Sequence, residues 1–129
     1  MVHYIGVDIV EISRIKKAIA RWGDSFLNRV YTESELKLYR GKLSSLAARF
    51  AGKEAVIKAL KETKGITWQQ IEVLSDPDGR PLLHLYGKAQ EQARSLGLTD
   101  LAIALSHSKE YAIAFVSGET EQEPTPETP

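Results

Sequence analysis

A chain of 129 residues, 43% of them apolar, is sized for one packed domain and leaves no room for a second. Cysteine is absent, which excludes disulfides, thiolate zinc sites and a cysteine nucleophile, and no apolar run approaches the roughly 18 residues of a membrane span, so the chain reads as soluble, unexported and cytoplasmic. The 17 acids balance 17 Lys and Arg, but four of the acids fall in residues 119–129, so residues 1–118 carry a formal +4 and suit phosphate-rich or acidic partners.

In chain order, residues 2–8 predict a strand, with Val2, Tyr4 and Gly6 alternating against His3, Ile5 and Val7 until Asp8 ends the apolar run. Over 11–22 the positions Ile12, Ile15, Ile19 and Trp22 recur at helical spacing and Gly23 supplies a stop; Arg14, Lys17 and Arg21 lie on the opposite side. Thr32 and Glu35 form a T-x-x-E capping box, which predicts a short helix to about Arg40. Ser44 or Ser45 can cap a longer helix running to about Glu62, closed by Lys64 and Gly65. Residues 71–74 and 82–86 pair about the Asp76-Pro77-Asp78-Gly79 turn, 88–96 form a further helix, and 101–106 with 111–117 make a second hairpin. The domain closes at 118. Residues 119–129, rich in Pro and Glu, offer almost nothing apolar to offset the entropy of ordering and are expected to be disordered.

Residues 46–62, projected at about 100° per residue, set Leu46, Phe50 and Ile57 on one face and Ala48, Ala51, Gly52, Ala55 and Ala59 on another, so the helix is packed on two sides. Glu54 falls at the margin of the large-residue face, where packing alone would not select a charge, and it needs a partner. One reading makes Glu54 and Lys58 an i,i+4 ion pair and nothing more. The other makes Glu54 a metal ligand and Lys58 a phosphate contact, with Asp8 adding a second carboxylate from the end of the first strand. Mg2+ suits that set, because it takes one or two carboxylates and completes its octahedron with water and phosphate oxygens. Spacing alone leaves both readings open.

Three blocks, Gly6-Val7-Asp8-Ile9-Val10-Glu11-Ile12-Ser13-Arg14-Ile15, Arg49-Phe50-Ala51-Gly52-Lys53-Glu54-Ala55 and Ser106-His107-Ser108, closely resemble the holo-[acyl-carrier-protein] synthase family. The segments Gly65-Ile66-Thr67-Trp68 and Asp78-Gly79-Arg80-Pro81 are similar to the family too, and the resemblance runs from residue 1 to about 117. It implies an α+β phosphopantetheinyl transferase fold, with antiparallel strands packed around a long central helix, assembled as a homotrimer with active sites between subunits. It implies that Asp8 and Glu54 hold Mg2+, that Lys58 sits beside the pyrophosphate of coenzyme A, and that Arg49, His107, Lys53 and Lys42 are further coenzyme A contacts. Arg14 and Arg21, with Lys17 on the same face, match the basic first helix that receives acyl carrier protein. Tyr31 stands where phenylalanine is frequent in the family and Gly52 where alanine is, neither of them a charged or ligating group.

The implied reaction moves the 4'-phosphopantetheine group from coenzyme A to a carrier-protein serine, releases adenosine 3',5'-bisphosphate and serves fatty acid biosynthesis. The base that takes the serine proton stays unassigned. A nucleic-acid-binding module is the rival from another class, since residues 37–64 hold eight basic residues (Lys37, Arg40, Lys42, Arg49, Lys53, Lys58, Lys61 and Lys64) against Glu54 and Glu62. It lacks a recognised motif and an exposed aromatic platform, so neither nucleic acid nor membrane is expected as a partner.

Overall fold

The structure, a computed structural model, describes residues 2–120. Strand β1 (His3–Glu11) leads into α1 (Ile12–Trp22), α2 (Asp24–Val30), α3 (Glu33–Tyr39) and the long α4 (Leu43–Leu60). A short 3-10 turn (Trp68–Gln70) precedes β2 (Ile71–Ser75) and β3 (Pro81–Leu85); α5 (Gly87–Ser95), β4 (Leu98–His107) and β5 (Tyr111–Thr120) complete the chain. β1, β5 and β4 form one antiparallel sheet in that order, and β2 pairs antiparallel with β3 in a second. Both sheets and three of the other helices touch α4, so this is the α+β arrangement of antiparallel strands around a central helix.

The alternation on β1 fixes which side chains meet α4. Tyr4, Gly6, Asp8 and Val10 face the helix, while Ile5, Val7 and Ile9 face away. On α4 the alanines 51, 55 and 59 have no exposed surface, and β1 lies against that track. The approach is so close that a Cβ at Gly6 would stand 1.8 Å from the Ala55 carbonyl oxygen and 2.9 Å from the Ala59 nitrogen. A glycine opposite alanines therefore brings Asp8 down onto the helix surface. Ala112, Ala114 and Val116 of β5 complete this side of the core.

Several boundaries differ from those read in the sequence. β1 does not stop at Asp8 but pairs with β5 through Glu11, because the strand's inward side is sealed by Gly6 and Val10 on either side of the acid. Gly23, with φ 56°, ends α1 and at once opens α2, a helix the sequence reading missed. Neither Ser44 nor Ser45 caps α4, which begins directly at Leu43 from the turn in which the Lys42 amide bonds the Tyr39 carbonyl. α4 ends at Lys61, whose φ of 58° takes the left-handed conformation that Gly65 was expected to supply. β5 continues through Glu119 and Thr120, the first two residues assigned to the acidic tail, and residues 121–129 lie outside the described residues.

Candidate active site

Asp8 and Glu54 come from the two elements that Gly6 holds in contact. The Asp8 side chain retains 18% of its exposure, and its Oδ1 accepts a hydrogen bond from Lys58 Nζ at 3.0 Å; the same ammonium donates to the Val7 carbonyl at 3.0 Å. Lys58 is one helical turn beyond Glu54 and therefore on its face of α4. The i,i+4 pairing with Glu54 is not formed, because Lys58 turns to β1. Glu54 is half-buried, and its Oε1 accepts instead from the Trp68 indole Nε1 at 3.0 Å. Beside it opens a cleft of about 500 Å³ lined by Arg29, Glu54, Ile57, Ile66, Thr67 and Trp68 among others.

Among the described residues there is no group of three or more His, Cys, Asp or Glu that would hold a metal by protein ligands alone. A cage of the Ca2+ or structural Zn2+ type needs such a group, whereas Mg2+ takes one or two carboxylates with its remaining positions on water and phosphate. The donor chemistry fits. Asp8 already gathers a positive charge, the Lys58 ammonium, and Glu54 keeps Oε2 without a hydrogen bond among the described residues. Lys58 thus ties Asp8 to the helix face that bears Glu54.

The remaining residues singled out in the sequence separate into two groups. His107 is exposed at the end of β4, where the Ser108 hydroxyl accepts from the Glu110 and Tyr111 amides and shapes the following turn. Lys42 is exposed at the start of α4, and Arg14, Lys17 and Arg21 are exposed on α1, on the side away from buried Ile12 and Ile15. Arg49 is different. Its guanidinium donates to the Val73 carbonyl at 3.0 Å, the Ser75 hydroxyl at 2.9 Å and the Ser45 carbonyl at 3.4 Å, and stacks 3.6 Å above the Tyr39 ring, tying α4 to α3 and β2.

Lys53 corrects the sequence reading. Its side chain has no exposed surface, and its ammonium donates to Glu35 Oε1 at 2.7 Å, to the Trp68 carbonyl at 3.0 Å and to the Ile71 carbonyl. All three protons are engaged inside the protein, which takes Lys53 out of reach of a coenzyme A phosphate. Burial pulls its pKa below the ordinary lysine value, opposed by the Glu35 carboxylate beside it. Glu35 is equally buried and also accepts from the Thr32 and Val73 amides at 2.9 and 2.8 Å. The capping-box glutamate is thus the counter-ion of a buried lysine, a role its spacing from Thr32 does not announce. Trp68, the donor to Glu54, carries no signal in the sequence beyond its place in the Gly65-Ile66-Thr67-Trp68 segment; only the fold sets its indole N–H against a half-buried acid.

The fold and site first define a class. Residues 4–116 match the model of the 4'-phosphopantetheinyl transferase superfamily, so the chain is an enzyme of the phosphopantetheinyl transferase class. A holo-[acyl-carrier-protein] synthase of Dehalococcoides mccartyi is 55% identical over 113 residues, covering 88% of this chain and 95% of the relative; one of Herpetosiphon aurantiacus is 49% identical over 121 residues, covering 88% and 95%. The crystal structure of Helicobacter pylori holo-[acyl-carrier-protein] synthase in complex with coenzyme A superposes with a TM-score of 0.81 at 36% identity, covering 89% of this chain and 99% of that one. The chain belongs to the holo-[acyl-carrier-protein] synthase family.

Proposed function

We propose that the enzyme transfers the 4'-phosphopantetheine group of coenzyme A to a serine of apo-acyl carrier protein in a Mg2+-dependent reaction. The observation that carries this reading is the Asp8–Lys58 contact, which brings a carboxylate of β1 to the face of α4 that bears Glu54. The Helicobacter pylori relative's complex with coenzyme A supports the substrate. Asp8 and Glu54 are the ligands in this reading, and the bound ion supplies neutralisation of pyrophosphate charge. The serine oxygen attacks the pantetheine-side phosphorus, the bond to the bridging oxygen breaks, and adenosine 3',5'-bisphosphate leaves. Lys58 compensates the charge that grows on the leaving phosphate, while the strand–helix contact fixes the angle of approach. His107 and Lys42 are additional coenzyme A contacts, and so is Arg49, whose guanidinium has five N–H groups and spends three of them inside the protein; Lys53, with every proton engaged, is withdrawn from that set.

The outward face of the three-stranded sheet supports the homotrimer with active sites between subunits. Ile5, Val7, Ile9, Ile113 and Phe115 stand together there, and Ile9 is 60% exposed. A contiguous apolar face of this kind on a small domain marks an interface. Asp8 points to the opposite side of that sheet, but β1 is its edge strand, so a copy that covers the face and wraps the edge comes close to the active site. Arg14, Lys17 and Arg21, an exposed cationic row on α1 with no acid inside that helix, form the docking surface for the acidic carrier protein. No helix of the described residues is long and apolar enough to cross a membrane. The enzyme is assigned to the cytoplasm and to fatty acid biosynthesis.

One assay tests the reaction. Apo-carrier protein, coenzyme A and Mg2+ with the enzyme should give a carrier protein heavier by about 340 Da, one phosphopantetheine group, by mass spectrometry. No mass gain on apo-carrier protein at saturating Mg2+ would overturn the proposal.

A further inference from the structure

We infer that Trp68 is a positioning residue, one that fixes the Glu54 carboxylate for the divalent ion and is itself set in place by buried Lys53. The inference rests on the reading above that Glu54 is a ligand. It begins from a donor with a single proton: an indole N–H can only donate, and that of Trp68 is spent on Glu54 Oε1 at 3.0 Å. One carboxylate oxygen is thereby anchored. The other, Oε2, accepts no hydrogen bond among the described residues and keeps its lone pairs for a cation.

The anchor matters because Glu54 has a competing partner. Lys58 lies one turn along the same face of α4, in the position where a glutamate and a lysine normally pair. If Glu54 swung to Lys58, the ammonium would be drawn off Asp8 and the carboxylate off the ion. The indole bond opposes that swing. Trp68 has little freedom to follow a moving partner, since its carbonyl receives Lys53 Nζ at 3.0 Å, its ring lies 5.9 Å from that of Phe50, and the Arg29 guanidinium sits 5.9 Å from its centre. Lys53 also holds the Ile71 carbonyl, so a single buried ammonium pins the 3-10 turn that carries Trp68 at both of its ends. The lysine that looks like a phosphate contact in the sequence thus acts on the metal site through a tryptophan.

Outer partners of metal ligands typically change metal affinity by about 10–100-fold when removed. Trp68→Phe keeps the ring against Phe50 and deletes only the N–H; it should weaken apparent Mg2+ affinity by about 10-fold or more, with kcat largely recovered at saturating Mg2+. A second measurement needs neither turnover nor that variant. The chain has two tryptophans, and Trp22→Phe removes the exposed one, leaving Trp68 as sole emitter. With coenzyme A present, Mg2+ should shift Trp68 fluorescence in Trp22→Phe, and adding Glu54→Gln should abolish the shift. Unchanged Mg2+ affinity in Trp68→Phe, alongside a Glu54→Gln variant that has lost Mg2+-dependent transfer, overturns the inference and leaves the metal assignment standing. Trp68 emission indifferent to Mg2+ overturns it whatever the enzyme's activity. A Glu54-dependent shift in a chain that modifies no carrier protein upholds it while the transfer reaction falls.

Discussion

Lys58 reaches across the strand–helix contact to the Asp8 carboxylate at 3.0 Å and leaves Glu54, one turn away on its own helix, to the indole of Trp68 at 3.0 Å. The two acids are therefore held by different partners from different elements, and neither neutralises the other's surroundings. A pair on the helix surface would have been ordinary. A cation shared between strand and helix, beside a carboxylate held at one oxygen, is a geometry that a phosphate and a divalent ion can enter.

The first prediction separates the ligands from the lysine. Asp8→Asn and Glu54→Gln remove ligand charge at nearly constant volume, so each should abolish transfer without changing the melting temperature appreciably. Lys58→Met should lower kcat by about 10²–10³-fold, the range for one removed electrostatic donor, while Mg2+ affinity stays near wild type. Its cost in stability should be below about 1 kcal/mol, because the Lys58 side chain is 56% exposed and such ion pairs contribute little. Wild-type turnover at limiting Mg2+ in both carboxylate variants would sink the metal assignment.

Lys53→Met tests the correction to the sequence reading. The substitution leaves the Glu35 carboxylate buried without its cation, a situation that costs about 3–5 kcal/mol in proteins. For a domain of this size the midpoint of thermal unfolding should fall by roughly 10 °C or more. A phosphate contact would behave in the opposite way: a raised coenzyme A KM with an unchanged melt. Circular dichroism melts and a KM determination on the same preparation tell these apart.

What was legible in the chain and what was not divides along a physical line. The two hairpins, α1 and the Thr32–Glu35 capping box were readable because turn residues and periodicity act over a few positions. Glu54 stands out as a charge where packing would not select one, Lys58 and Asp8 enter only as its candidate partners from spacing and from the strand end, and the fold brings Asp8 and Lys58 together. The burial of Lys53 and Arg49 was not readable. A charge is buried only when distant elements supply its partners, here Glu35 from α3 and the carbonyls of Trp68, Ile71 and Val73. α2 escaped because Gly23 looks like an end, and its φ of 56° serves equally as a corner between two helices.

Gly6→Ala should be among the most damaging small substitutions in the protein. The added methyl carbon would stand 1.8 Å from a backbone oxygen and 2.9 Å from a backbone nitrogen of α4, and neither is the flexible end of a side chain. Strand and helix must separate, so the loss should reach the upper end of the ~1–3 kcal/mol typical of overpacking, or exceed it. Activity should fall further than stability, because Asp8 rides on the displaced strand. A Gly6→Ala enzyme that melts and turns over like wild type would refute the close approach.

The exposed sheet face gives a prediction about assembly. Ile9→Lys places a charge in the middle of the apolar patch without touching the core side of β1, where Val10 is buried. Sedimentation should show the proposed trimer replaced by monomer. Turnover per chain should collapse with it while the secondary structure is retained, since in the proposed assembly a neighbouring copy wraps the β1 edge that carries Asp8. A trimer that survives Ile9→Lys with full activity argues that this face is not the interface.

Arg14→Glu bears on the carrier-protein surface. The α1 row is exposed and its only charged residues are cationic, so reversing one charge converts an attraction for an acidic partner into a repulsion. Encounter rates respond most to such rim charges, and the Debye length of about 10 Å at 0.1 M salt sets where the effect fades. The carrier-protein KM should therefore rise at low salt, and the gap from wild type should narrow as salt is added, with the coenzyme A KM unaltered throughout. Arg21→Glu should act more strongly, because the Arg21 guanidinium lies 4.9 Å from the centre of the exposed Trp22 ring, and its loss frees that ring as well as reversing the charge. A carrier-protein KM that is the same for wild type and Arg14→Glu at low ionic strength places the docking surface elsewhere.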